Sequence, residues 1–171
     1  NIGVSLIKHI LNTSGIENYS KNSLDMVRLG IGLYGISNKL KLKNVASLTS
    51  KISKVRAVSK NEQVGYGISN ISKNKIIVGI IPIGYGDGFS RSLGNGNVNL
   101  YVNGDLVPTV GNICMDMTFI DLSNTNAKVG DKVEIFGINN SIKEIAKSMN
   151  TIPYEILSSI SQRVVRTYEK E

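Results

Sequence analysis

Residues 64–91 read VGYGISNISKNKIIVGIIPIGYGDGFSR, and this stretch decides how the rest of the chain is read. At its centre, IIVGIIPI is an apolar, β-branched run of single-strand length bounded by glycine and polar turn residues, so it predicts a buried strand over 75–83. A short Ser/Asn/Lys turn precedes it. On either side stands a Gly-Tyr-Gly, centred on Tyr66 and Tyr85. Flanking glycines let the backbone turn sharply and clear side-chain bulk, so each phenol can project into open space from a strand edge. A lone Gly-Tyr-Gly is also ordinary turn punctuation with an aromatic plug. The second copy, followed by Asp87 and Arg91, favours displayed reactive groups.

Working outward, strands are expected over 46–59, 75–83, 97–102, 107–110, 117–122 and 132–136, divided by turns such as LGNGN, VNGD and VGDK. Short strands at this spacing predict a mainly β barrel or sandwich. In SIKEIAKSM, Ser141 and Glu144 form a capping box, and Ile142, Ile145, Ala146 and Met149 share one helical face. Pro153 then opens a second short helix that ends at Ser159. The tail QRVVRTYE alternates and predicts a returning strand. Towards the amino end, residues 38–44 alternate lysine with apolar residues and mark a boundary. Before it, VSLIKHI (4–10) and MVRLGIGLYG (26–35) read as two buried strands, joined by an LNTSG turn and a helical turn over 20–25. They look like the last units of a parallel α/β structure and cannot stand as a domain alone.

The 171 residues have room for one domain, or one domain plus a fragment. A formal charge of +7 points to an anionic partner, either nucleic acid or a substrate carrying phosphate or carboxylate. The lysines are dispersed, however, and the run Lys39, Lys41, Lys43 lacks interleaved aromatics, so a solvated basic surface is favoured over a nucleic-acid face. The single cysteine, Cys114, excludes an internal disulfide and a cysteine-built zinc site, and fits a reducing compartment. No metal site is expected. There is no apolar run of membrane-spanning length and no basic-then-apolar leader, so the expected compartment is the cytoplasm. The chain opens on Asn in mid-pattern, as a piece of something longer would.

A phenol serves as a general base only where cations or hydrogen bonds lower a reference pKa of about 10. Arg28, Arg56, Arg91 and Arg163 are all available in principle to supply such a cation. Arg28 falls inside an expected apolar strand and must reach solvent or find a partner. His9, a lone histidine, is either a hydrogen-bonded structural residue, the favoured reading, or a catalyst. Asp116 and Asp121 are each either turn residues or substrate-site residues. Glycine-rich backbone after barrel strands can bind phosphate through its N–H groups, and Arg28-Leu29-Gly30-Ile31-Gly32 fits that description.

Taken together, HILNTSG, MVRLGIGLYG, VGYG, PIGYGDGFSR, VPTVGNICMDMTFIDL, VGDKVEIFG and TIPYEILSSISQRV resemble the alanine racemase family in order and spacing. The ISQRV ending is similar to the branch fused behind a Mur-type ligase. The resemblance implies an isomerase that uses pyridoxal phosphate to interconvert L- and D-alanine for peptidoglycan and cell-wall synthesis. It implies that residues 1–43 are the last strands of an incomplete (β/α)8 barrel, which binds the cofactor. Residues 44–171 would be the carboxy-terminal, mainly β, barrel-like domain with two short helices. It further implies a homodimer with a shared active site, and an inactive fragment, because the cofactor lysine lies outside this chain. Tyr66 would be one of two catalytic bases. Arg28 would face the pyridine nitrogen, while Asn12, Thr13, Gly30 and Ile31 would hold the phosphate. Tyr85 would narrow substrate access, and Met115 and Asp116 would lie at the substrate carboxylate. Gln162 stands where many members carry a phosphate-binding tyrosine. The rival readings are a racemase of another small amino acid such as serine, a non-catalytic dimerisation module, and a nucleic-acid-binding β-barrel.

Overall fold

A computed structural model describes residues 5–67 and 72–169. The chain divides into two units, Asn1–Ala46 and Ser47–Glu171.

In the first unit, β1 (His9–Ile10) pairs in parallel with β2 (Met26–Val27), His9 opposite Met26 and Ile10 opposite Val27. Between them runs α1 (Thr13–Tyr19), continued by a 3-10 turn over Ser20–Asn22. The strands expected over 4–10 and 26–35 thus shrink to two residues each, and Val4 lies outside the described residues. LNTSG starts a helix instead of closing a strand, because Asn12 acts as an N-cap: its Oδ1 accepts the Gly15 N–H at 2.9 Å. Beyond Val27 the ladder gives way to a 3-10 turn, Ile31–Tyr34. There the Thr13 hydroxyl takes the backbone N–H groups of Gly30 and Gly32, so a side chain competes successfully with strand pairing.

The second unit is one antiparallel sheet. Its strands are β3 (Leu48–Lys51), β4 (Lys54–Val58), β5 (Ile76–Ile81), β6 (Asn99–Val102), β7 (Asp105–Val110), β8 (Thr118–Asp121) and β9 (Lys132–Phe136). They lie in the order β3-β9-β6-β7-β8-β5-β4. The two strands at the ends of this order are therefore consecutive in the sequence. The single strand expected over 46–59 breaks at Ile52–Ser53, where Ile52 N–H bonds to Asp131 O at 3.0 Å and Ser53 N–H to Ile80 O at 2.8 Å. Neighbouring peptides thus turn to opposite ends of the sheet, which curls back on itself as a barrel does. The expected turn between VGYG and β5 falls partly on residues 68–71, outside the described residues. Leu100, Ile120 and Val133 are fully buried on one face of this sheet, whereas Val58 and Val78 are fully buried on the other, clustered with Val64, Cys114 and Phe119.

Two helices follow β9. In α2 (Ile142–Ser148), Ile142, Ile145 and Ala146 are buried, and the Ser141 hydroxyl accepts the Lys143 N–H at 3.2 Å. Next, α3 (Pro153–Ser159) begins on its proline. The strand expected in the tail does not form, and Val165 is 86% exposed. The Arg166 guanidinium folds back on the carbonyls of Ile160, Ser161 and Val164, the last of which a ladder would need.

Candidate active-site residues

In the first unit the candidate phosphate residues gather around one hydroxyl. Thr13 follows directly on the Asn12 cap and is buried, and its Oγ1 accepts from Gly30 N and Gly32 N, each at 3.1 Å. A Cβ on Gly32 would stand 2.8 Å from Leu29 Cδ1 and 3.1 Å from Thr13 Cγ2, so only glycine lets the two segments approach this closely. Ile31 between the two glycines is buried. The Gly30 and Gly32 N–H groups are spent on the Thr13 hydroxyl, which leaves the Asn12 amide nitrogen and the Thr13 O–H as donors of a kind that suits a phosphate. Arg28 sits just after β2, not inside a strand, and is exposed, so the expected cost of burying it does not arise. Its backbone N–H bonds to Leu11 O at 2.8 Å. His9 lies exposed on β1.

In the second unit, Tyr66 is 72% exposed. Gly65 and Gly67 on either side have φ of 68° and 105°, a region that glycine enters without strain. The Tyr66 carbonyl accepts from Asn112 Nδ2 at 2.9 Å. Tyr85 opens a 3-10 turn, Tyr85–Asp87, and is 44% exposed. This turn is stitched to the loop after β7: Tyr85 N–H bonds to Cys114 O at 3.0 Å and Gly86 N–H to Met115 O at 2.9 Å. The side chains of Met115 and Asp116 point outward from the same loop and are exposed.

One cation ties these pieces together. Arg163 Nε donates to Asp87 Oδ1 at 2.7 Å, and its Nη2 pairs with Asp116 Oδ1. Partial burial disfavours the Asp87 carboxylate, but the Arg163 guanidinium and the Gly84 N–H outweigh it and hold this carboxyl below its ordinary value. Hydrogen bonds to Asp87 and Asp116 keep Arg163 more firmly protonated than a free arginine. Arg56 is paired with Glu62, and Arg91 Nη1 donates to Ile113 O at 3.2 Å. Burial pushes the Cys114 thiol up. Of the two ambiguous aspartates, Asp121 accepts from Ser123 N and Ser123 Oγ, the hydrogen bonding of a turn residue. Gln162 is exposed in the tail. Sequence reasoning passed over Asn112 altogether and saw Arg163 only as a possible neighbour of a phenol. Their partners are distant in the chain, so no local pattern announces them.

Comparison with known proteins now adds a decisive match. The sequence profile described as "Alanine racemase, C-terminal domain" covers residues 45–168. The chain belongs to the alanine racemase family. The alanine racemase of Helicobacter pylori (strain P12) is 40% identical over 94% of this chain and 47% of its own length. Alanine racemase 1 of Caldanaerobacter subterraneus subsp. tengcongensis is 38% identical over 95% of this chain and 44% of its own. Solved alanine racemases share the fold. The Clostridium difficile 630 enzyme in complex with cycloserine superimposes with a TM-score of 0.87 at 35% identity, covering 95% of this chain and 46% of that one. The Bartonella henselae enzyme, with covalently bound pyridoxal phosphate, gives 0.88 at 32% identity over 97% of this chain and 48% of its own. The chain spans about half the length of the alanine racemases it matches.

Proposed function

We propose that this chain is the carboxy-terminal part of a pyridoxal-phosphate-dependent alanine racemase and that Tyr66 is one of its two catalytic bases. The observation that carries this reading is the display of Tyr66, a phenol 72% exposed on a backbone turned by two glycines in a racemase domain. Residues 1–43 are the remnant of the cofactor barrel and residues 44–171 the β domain. Exposed Leu6, Ile7, Ile10 and Met26 beside a two-residue parallel strand pair support the first assignment, since so small a parallel pair is stable only within a larger covered sheet.

Pyridoxal phosphate, when bound, makes the α-hydrogen of alanine acidic enough to be removed. Asn12, Thr13, Gly30 and Ile31 would hold its phosphate, and the Arg28 guanidinium would disfavour protonation of its ring nitrogen. Gln162 has an amide where many members offer a phenol. Tyr66 exchanges a proton with the α-carbon from one face, and a lysine outside this chain serves the other. That division of labour is what inverts a stereocentre. Tyr85 narrows the approach to the site, Met115 presents its backbone to the substrate carboxylate, and Asp116 holds the same loop in place. The enzyme works as a homodimer in the cytoplasm and supplies D-alanine for peptidoglycan.

Replacing Tyr66 by Phe in the complete enzyme tests the reading. Racemisation should fall at least about a hundredfold in both directions, since each overall reaction needs both bases. Full activity in Tyr66→Phe would leave the domain a non-catalytic dimerisation module. Salt-dependent binding of single-stranded nucleic acid by the chain would support the third reading.

A further inference from the structure

The loop between β7 and β8 reaches the backbone of Tyr66 through a side chain. Asn112 Nδ2 donates to the Tyr66 carbonyl at 2.9 Å. Two residues on, the buried Cys114 thiol donates to Asn112 O at 3.8 Å, within the same loop. Asn112 is itself braced: its Oδ1 accepts from Asn95 Nδ2 at 3.1 Å, and the Asn95 N–H bonds to Gly111 O at 2.8 Å. The amide of Asn112 therefore uses its acceptor for the 95 turn and its donor for Tyr66.

Glycines at positive φ on both sides leave the dihedrals next to Tyr66 soft, so the bonds made to its backbone help to set where the phenol is aimed. We infer that Asn112 is a positioning residue for Tyr66: it anchors the Tyr66 carbonyl, with Asn95 behind it, and so aims the phenol. This rests on the proposed role of Tyr66 in racemisation. A base must sit within hydrogen-bond reach of the proton it takes, and a misplacement of an ångström is costly, so the anchor should govern turnover more than substrate affinity.

Three variants of the complete enzyme separate this role from a merely structural one. Asn112→Asp keeps the acceptor used by Asn95 and loses the donor used by Tyr66. A residue that only braced the 95 turn would tolerate it. The expected result is a kcat lower by about tenfold with KM for alanine within about twofold. Amide hydrogen exchange over residues 64–67 should also quicken by about tenfold, measured with or without cofactor, while β5 and β8 stay protected. Asn112→Gln, which retains the donor, should recover part of both effects. Asn95→Gly, which suits the φ of 58° at that position and removes only the brace, should give a weaker version of each. Wild-type turnover and unchanged exchange in Asn112→Asp would overturn the inference, and if that variant does not fold, Asn112→Ser decides on the same two readouts. The exchange experiment also keeps the two claims apart. If Tyr66→Phe leaves racemisation intact while Asn112→Asp still loosens residues 64–67, the anchor stands and the catalytic role of Tyr66 falls.

Discussion

The two Gly-Tyr-Gly segments are identical in sequence and differ in almost everything the glycines do. Around Tyr66, Gly65 and Gly67 supply positive φ, and the phenol is left 72% exposed. Around Tyr85, Gly84 is extended, with φ of −148°, and serves close approach instead: a Cβ there would lie 2.2 Å from Cys114 O and 2.4 Å from Met115 O. The first pair makes a turn that needs an outside anchor. The second lets a short helical turn dock directly on the 113–117 loop, which holds Tyr85 through its own backbone N–H. A repeated tripeptide is therefore not a repeated structure, because glycine can be required for conformation or for space.

The sharpest break between the two should be chemical. Tyr66→Phe is expected to lower kcat of the complete enzyme by at least about a hundredfold, whereas Tyr85→Phe should shift KM by less than about tenfold and leave most of kcat. Comparable losses of kcat in a steady-state assay would remove the distinction in role. Next comes packing. Gly84→Ala drives a Cβ into backbone atoms that cannot swing aside, and should cost about 3 kcal/mol, read as a lower thermal midpoint. Gly65→Ala is milder at about 1–2 kcal/mol: it meets a left-handed φ and Phe119 Cε2 at 2.7 Å, and a ring can shift where a peptide cannot. Should Gly65→Ala prove the worse of the two, close approach is not the stronger constraint.

The smallest effect belongs to the Arg163 bridge. Asp87 has a folded value below its unfolded one, so its ion pair stabilises the protein fully above the unfolded carboxyl value of about 3.9. That contribution is lost as the pH falls through the lower, folded value. Arg163→Met should therefore be slightly less stable than the parent at neutral pH, and the two melting curves should converge in acid. The bridge is partly exposed, so added salt should shrink the difference as well. A gap between the curves that persists at low pH would mean that Arg163 acts by packing and not by charge.

Sequence alone was sufficient for the strands from β5 to β9, for α2 and α3, and for the exposure of Tyr66. Each is written in residues close together: β-branched runs between turn residues, a serine cap before an apolar helical face, a proline in a first turn, a phenol between glycines. The shared motifs also pointed to the racemase family. The misreadings are equally physical. Asn12 was taken for part of a turn, although caps and turns use the same side chains. The tail alternates like a strand, but Arg166 takes the Val164 carbonyl. Tertiary structure alone decided that the single strand expected over 46–59 would split at Ile52–Ser53 to supply both ends of the sheet. It also decided that Asn112 would reach Tyr66 and Arg163 would join Asp87 to Asp116. Local propensity acts over a few residues, whereas these bonds join segments whose meeting depends on how the whole sheet curls.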